Sequence, residues 1–161
     1  MSILEKQVDA LMRLCIAEEE SDRISAREEV RQMLELRRLN RACTDPEYLI
    51  RDLLLELGAP DHLMGHPYVI RAILLVLQDR SYIDSITFGL YPQLAAIFDT
   101  SASRVERAIR HLIEVTWARG DLDVLDCYFG NTVSADKGKP TNGEFIARMA
   151  NVVKQRLREA A

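Results

Sequence analysis

Residues 101–117 form a segment in which arginines and other polar side chains recur at short, regular intervals. At helical periodicity its polar side chains share one face, opposite an apolar one: Arg104, Arg107, Arg110, His111 and Glu114. Arginine donates two hydrogen bonds to guanine O6 and N7, and glutamate accepts one from cytosine N4. Ser101 and Ser103 would stand at the helix start, where hydroxyls and free backbone N–H groups can hold phosphate. The pattern is typical of a helix that enters the major groove of DNA.

The elements that would position this helix are a short preceding helix and a tight turn. Periodicity predicts helices over residues 92–98 and 103–117, joined by a turn at residues 99–101. Apolar or small residues fall where two such helices must cross closely: Leu94, Ala95, Phe98, Val105 and Ala108. The turn has no glycine, but Asp99 also tolerates unusual backbone angles. We therefore predict a helix-turn-helix.

The same polar face also permits a purely structural interpretation. Glu106 and Arg110 are four residues apart in the order that favours an ion pair. Arg110 and Glu114 have the same spacing in the less favourable order. Such pairs stabilise a solvent-exposed helix without any ligand. Spacing alone leaves the DNA-reading and ion-pair interpretations open.

Two short amphipathic helices are predicted in residues 1–44. Their apolar stripes pass through Leu4, Val8, Leu11 and Cys15, and then through Val30, Met33, Leu34 and Leu36. Ser25 is the predicted cap of the second helix, with Glu28 at capping-box spacing. Helices with so little apolar surface cannot form a core of their own. We expect residues 1–44 to be a helical extension for dimerisation or partner binding.

The remainder, residues 45–161, is predicted to be a multi-helix domain of the all-α class. Thr44-Asp45-Pro46-Glu47 has the capping oxygen, proline and acid of a strong helix start. Gly58-Ala59-Pro60 predicts a turn, and Gly65 with Pro67 a break. Further helices and one exposed loop complete the pattern: a buried central helix over 68–79, helices near 82–88, 121–128 and 142–158, and the loop 130–140.

Charge and cysteine usage restrict the class of protein. The net charge is −4, but residues 1–91 hold 11 basic and 16 acidic groups whereas residues 92–161 hold 10 and 9. A DNA-facing surface must then be a local basic patch in the second half, because phosphate neutralisation supplies most non-specific affinity. Three widely spaced cysteines, no signal-peptide pattern and no apolar run of membrane-spanning length lead us to expect a cytoplasmic protein without membrane contact.

Other chemistry has little support in the sequence. His62 and His66 are four residues apart, but Gly65 and Pro67 interrupt the helix that would align them and no third metal ligand is evident. Asp121, Asp123 and Asp126 lack the spacing of a calcium loop. No phosphate-loop motif and no nucleophile–base set is present. We expect no catalysis, no cofactor and no metal. Trp117 and Tyr91 are interpreted as core residues.

Two blocks carry a family resemblance: SASRVERAIRH at residues 101–111 and KGKPTN at residues 137–142. Shorter matches accompany them: Ser-Ile-Thr at 85–87, Leu-Tyr-Pro at 90–92, Trp-Ala-Arg-Gly at 117–120 and Glu-Phe-Ile-Ala at 144–147. Over about residues 45–158 the chain resembles the C-terminal effector domain of the stage-zero sporulation response regulator of endospore-forming Firmicutes.

The resemblance implies an all-helical transcription regulator that binds a short DNA box as a tandem dimer. It implies that the base-reading residues are Arg104, Glu106 and Arg107. It implies that the DNA backbone is contacted by Ser101, Ser103, Arg110, Lys137 and Lys139. The stretch Arg119–Ser134 resembles the region that meets the polymerase sigma subunit in the family.

The sequence departs from the family in two ways. Only about 44 residues precede the domain, too few for a receiver with a phosphorylatable aspartate, so we expect no receiver in this chain. Phe88 stands where the family usually has lysine, and Ala95-Ala96 replace a more basic pair. Because these changes remove positive charge, a second hypothesis remains open. In it the chain is a protein-interaction module that binds a full-length relative or the sigma subunit without needing DNA.

Overall fold

The computed structural model describes residues 12, 20–130, 133 and 138–160. The chain divides into two units, Met1–Cys43 and Thr44–Ala161. Every element of regular structure in the described ranges is helical, which confirms the predicted all-α class. None of the described helices is long and apolar enough to cross a membrane.

The N-terminal unit contains helix α1, Glu20–Thr44, which is 25 residues long. Ser25 lies inside α1, so its predicted role as a helix cap is wrong. Ala26 is buried, while three larger apolar side chains are more than half exposed: Ile24, Leu34 and Leu36. The predicted helix around residues 4–15 falls outside the described residues.

The second unit begins with helix α2, Pro46–Glu56, as the sequence predicts. Asp45 caps it, its carboxylate accepting the Glu47 N–H at 3.0 Å, and Pro46 occupies the first turn, where no N–H partner is needed. The turn after α2 depends on Gly58, whose φ of +73° is in the left-handed region that favours glycine. The buried face of α2 consists of Leu49, Ile50, Leu53 and Leu54.

Helix α3, Gly65–Gln78, is the buried central helix and packs on α2 and on two later helices, Ala102–Arg119 and Asn142–Glu159. It begins three residues earlier than the apolar run predicts. Pro67 lies in its first turn instead of marking a break, because proline is tolerated where the N–H has no helical partner. Gly65 allows close approach: a Cβ there would lie 2.3 Å from the Ala108 carbonyl oxygen.

The remaining helices follow the predicted order. Helix α4 is Ser81–Asp84, a π-helical turn covers Ile86–Leu90, and α5 is Tyr91–Ile97. Helix α6 is Ala102–Arg119, α7 is Leu122–Phe129 and α8 is Asn142–Glu159. The sequence predicts one helix where α4 and the π-turn occur. Trp117 packs edge-on against Phe129 and Phe145, with centroid distances of 5.1 and 6.1 Å, as expected of a core residue.

Candidate nucleic-acid interface

Helices α5 and α6 form the predicted helix-turn-helix. The turn between them contains Asp99 at φ 50°, a positive value that aspartate tolerates better than most residues. Ser101 caps α6 in an extended conformation, and its Oγ accepts the Arg104 N–H at 3.4 Å. The Ser103 hydroxyl lies 3.4 Å from that of Ser101. Two exposed hydroxyls therefore flank the positive end of the helix dipole.

The long helix α6 separates its side chains into a buried and an exposed face. The buried side chains are Val105, Ile109, Leu112, Ile113 and Thr116. The exposed ones include Ser103, Arg104, Arg107, Arg110, His111 and Glu114. Thr116 is satisfied within the core, since its hydroxyl donates to the Leu112 carbonyl at 2.7 Å. The predicted amphipathicity of this helix is confirmed.

Ion pairs occupy only part of the exposed face. Arg110 pairs with Glu106 on the same helix. Glu114 pairs instead with Lys139, whose Nζ lies 2.7 Å from its Oε1, so the possible Arg110–Glu114 pair does not form. Within the described residues, Arg104 and Arg107 have no ion-pair partner. The ion-pair interpretation therefore applies to Glu106, Arg110 and Glu114, and Arg104 and Arg107 remain unpaired among the described residues.

The hydrogen bond and charge of Lys139 lower the pKa of Glu114, with smaller contributions from His111 and Arg110. The Glu114 carboxylate holds Lys139, which lies in the loop before α8, against the exposed face of α6. Lys137, the other predicted backbone contact of that loop, falls outside the described residues. Pro140 next to Lys139 is buried, which anchors this end of the loop.

The start of helix α8 contacts both helices of the helix-turn-helix. Thr141 caps α8 in a capping box: its Oγ1 accepts the Glu144 N–H at 3.3 Å, and the Glu144 carboxylate accepts the Thr141 N–H at 2.8 Å. The side-chain amide of Asn142 donates to the Tyr91 hydroxyl at 2.9 Å and to the Glu106 carbonyl at 3.1 Å.

Asn142 and the Tyr91 hydroxyl are site residues that the sequence interpretation missed. Tyr91 is a core residue as predicted, at 6% exposure, and burial raises the pKa of its phenol. The signal available for the start of α8 was the Thr-x-x-Glu spacing at residues 141–144, which is that of a capping box. Nothing in the spacing links Asn142 to Tyr91, 51 residues earlier.

An open groove of about 570 Å³ lies between the π-turn, α6 and the start of α8. Its basic side chains are Arg110 and Lys139, both already in ion pairs. Elsewhere in the described residues, no group of three histidine, cysteine, aspartate or glutamate side chains could hold a metal ion. Asp121 is the cap of α7 and accepts the Asp123 N–H at 2.9 Å.

These features define the second unit as an all-α helix-turn-helix domain with a capped and partly basic second helix. A family model described as the sporulation initiation factor Spo0A C terminal matches residues 50–153, which is more than half of the chain. The chain belongs to this family, a family of DNA-binding regulatory domains, and the resemblance seen in the sequence is confirmed.

Phe88, the position where the resemblance leads us to expect a lysine, lies at the surface. Phe88 lies on the π-turn immediately before α5, and its side chain is 90% exposed. No charged residue occurs between residues 85 and 98, so the π-turn and α5 contribute no charge of their own. Between residues 85 and 142 all basic residues except His111 are the four arginines of α6, together with Lys137 and Lys139 before α8.

Proposed function

We propose that this chain is a sequence-specific DNA-binding transcription regulator that inserts the N-terminal half of α6 into the major groove. Arg104, Glu106 and Arg107 contact base edges in this proposal. One observation supports it most: Arg104 and Arg107 lie one helical turn apart, exposed, at the capped start of the second helix of a helix-turn-helix. Neither has an ion-pair partner among the described residues.

The DNA backbone would be held around this reading surface by Ser101, Ser103, Arg110, Lys139 and Lys137. The two serines flank the free N–H groups of the first turn of α6, a favourable place for phosphate. Lys139 lies farther along α6, where the loop before α8 brings it against Glu114. Such contacts fix the register of the protein on the duplex but carry no sequence information.

Glu106 needs a compensating charge in this arrangement, because a carboxylate near DNA is repelled by the phosphates. Its ion pair with Arg110 supplies that charge on the same helix. The Glu106 side chain keeps 31% exposure, so one carboxylate oxygen can face a cytosine amino group while Arg110 remains bound to the other.

The test replaces each free arginine separately. Duplexes selected by the wild-type protein from a random pool would be compared with scrambled duplexes by fluorescence anisotropy at fixed salt. Arg104→Ala and Arg107→Ala should each cost about 1–3 kcal/mol on the selected duplex and relax the preference at one base pair. Arg119→Ala is the charge-matched control, since Arg119 lies on the same helix about 18 Å beyond Arg107.

Specific binding that is unchanged in both variants would refute the assignment of α6 as the reading helix. If the wild-type protein enriches no sequence from the random pool, sequence-specific recognition itself is refuted.

Residues 1–44 would provide self-association, so that the regulator acts as a homodimer in the cytoplasm. The support is that α1 leaves three large apolar side chains more than half exposed, Ile24, Leu34 and Leu36, and self-association could bury them. We expect the full chain to be a dimer in sedimentation experiments and a chain lacking residues 1–44 to be a monomer. A monomeric full chain would contradict this proposal.

Helix α7 favours a second candidate function, binding to the polymerase sigma subunit or to a relative. Its exposed face combines Leu122, at 72% exposure, with Asp123 and Asp126. An acidic surface with one apolar side chain suits a basic protein partner better than it suits DNA. Binding to the sigma subunit together with no detectable DNA binding at low salt would select this function over the first.

A further inference from the structure

We propose that Asn142 is a positioning residue, one that sets the orientation of the two helices of the helix-turn-helix without touching DNA itself. The proposal rests on the proposed DNA-reading function of α6. Neither the sequence pattern of the helix-turn-helix nor the predicted set of DNA contacts includes this residue.

The hydrogen bonds of Asn142 connect three helices at one point. Its side-chain nitrogen has two hydrogens, and it donates to the Tyr91 hydroxyl of α5 at 2.9 Å and to the Glu106 carbonyl of α6 at 3.1 Å. Both bonds are partly buried, so water replaces them poorly when they are lost. One amide group therefore ties the first helix of the motif to the second.

The position of the α6 bond matters for recognition. Asn142 binds the backbone of Glu106, which lies between Arg104 and Arg107 in the chain. A shift of this backbone segment displaces both arginines together. Base contacts tolerate such shifts poorly, since hydrogen-bonding groups must be held within about 0.5 Å of their productive geometry by the residues behind them.

Helix α8, which begins with Asn142, is fixed by its own contacts. The capping box between Thr141 and Glu144 fixes the first turn of α8. Phe145 and Ile146, immediately after it, are completely buried in the core. Asn142 is thus anchored on a helix outside the helix-turn-helix and can act as a fixed point for it.

Packing next to Asn142 supports the same role. A Cβ added at Gly143 would lie 2.6 Å from Cδ1 of Ile86, which belongs to the π-turn before α5. The absence of a side chain at Gly143 lets the π-turn approach the start of α8 closely. Polar and steric contacts at two successive residues therefore hold the motif against α8.

The experiment measures discrimination as well as affinity. Asn142→Ala, Tyr91→Phe and the double variant would be titrated with a selected and a scrambled duplex, and their thermal midpoints recorded without DNA. Asn151→Ala is the matched control, because Asn151 is an exposed asparagine on the same helix. The readout is the ratio of selected to scrambled affinity, which loss of stability alone does not change while the protein remains folded.

We expect Asn142→Ala to lower this ratio about tenfold and Asn151→Ala to leave it within twofold. Binding to the scrambled duplex should stay constant, since phosphate contacts do not depend on the angle between α5 and α6. Tyr91→Phe removes one of the two acceptors and should lower the ratio about threefold. The double variant should match Asn142→Ala, because both changes remove the same hydrogen bond.

A ratio unchanged in Asn142→Ala, or effects of the two substitutions that simply add, would overturn the proposal. If Asn142→Ala does not fold, Tyr91→Phe decides alone: a wild-type ratio in that variant overturns it. A wild-type protein that does not discriminate between the duplexes overturns the proposed function, and this role of Asn142 with it. If instead the wild-type protein discriminates between the duplexes, and Asn142→Ala and Tyr91→Phe show the same ratio, only the role of Asn142 is overturned.

Discussion

Replacing Glu114 by glutamine should strengthen the binding of DNA. Glu114 accepts a hydrogen bond from Lys139 at 2.7 Å, and both side chains are more than 40% exposed. In the proposed complex Lys139 contacts a phosphate, so the acid acts as an internal counter-ion that the phosphate must displace or share. Glutamine keeps the acceptor oxygen and removes the charge. The variant therefore keeps Lys139 in its position, but no carboxylate competes with the phosphate for Lys139.

The size of the effect follows from the geometry. If a phosphate oxygen lies about 2.8 Å from Lys139 Nζ, it is at most roughly 5.5 Å from the Glu114 carboxylate, given the 2.7 Å ion pair. Coulomb's law in water over that distance corresponds to about a fourfold change in the binding constant. In Glu114→Gln the charge of Lys139 is no longer neutralised by a carboxylate, so Lys139 can replace one counter-ion on the DNA. The slope of log K against log salt should then steepen by up to about 0.9.

The assay is fluorescence anisotropy at several salt concentrations, with selected and scrambled duplexes. Phosphate contacts carry no sequence information, so both affinities should rise by the same factor. Glu47→Gln is the matched control, since Glu47 is also an exposed acid in an ion pair, with Arg51 on α2. Unchanged or weaker binding in Glu114→Gln would refute a phosphate contact by Lys139, as would an equal gain in the control.

Two further predictions concern stability. Gly65→Ala places a Cβ 2.3 Å from the Ala108 carbonyl oxygen and should cost about 1–3 kcal/mol in chemical denaturation. Gly143→Ala should cost less, because the atom it meets, Ile86 Cδ1, ends a flexible side chain; equal costs would contradict this packing. Burial lowers the pKa of His66 below its ordinary value of 6.5. As the pH falls, the unfolded chain therefore takes up this proton before the folded chain does, and the free energy of unfolding decreases below about pH 6.5. His66→Gln should reduce this pH dependence of the melting temperature, and an identical dependence would exclude His66 as its source.

Several helices could be predicted from the sequence because each is determined locally. Asp45 and Pro46 start α2 through a cap and a fixed φ, and the apolar period of residues 103–117 places α6 to within two residues at each end. Ser25 shows where this reasoning fails. A capping pattern competes with the helix propensity of the residues before it, and in α1 the longer helix prevails.

The partners within the site could not be predicted, because they come from distant parts of the chain. The local spacing predicts Arg110 as a possible partner of Glu114. In the structure its partner is Lys139, which is 25 residues away in the chain. The contacts of Asn142 with Tyr91 and Glu106 depend on how α8 packs against α5 and α6. The π-turn at residues 86–90 likewise has no local signal, since i→i+5 hydrogen bonding has no apolar period of its own.

The distribution of ion pairs supports the proposal that a chain of net charge −4 reads DNA. Glu106 and Glu114 partly neutralise Arg110 and Lys139, so these two proposed backbone contacts attract phosphates less than unpaired cations would. The unpaired arginines lie instead at the start of α6, where base edges can accept their hydrogen bonds. Low non-specific affinity then favours discrimination, because competing sites on DNA bind through charge alone. On this reasoning Glu106 and Glu114 contribute to specificity by weakening the proposed phosphate contacts of Arg110 and Lys139.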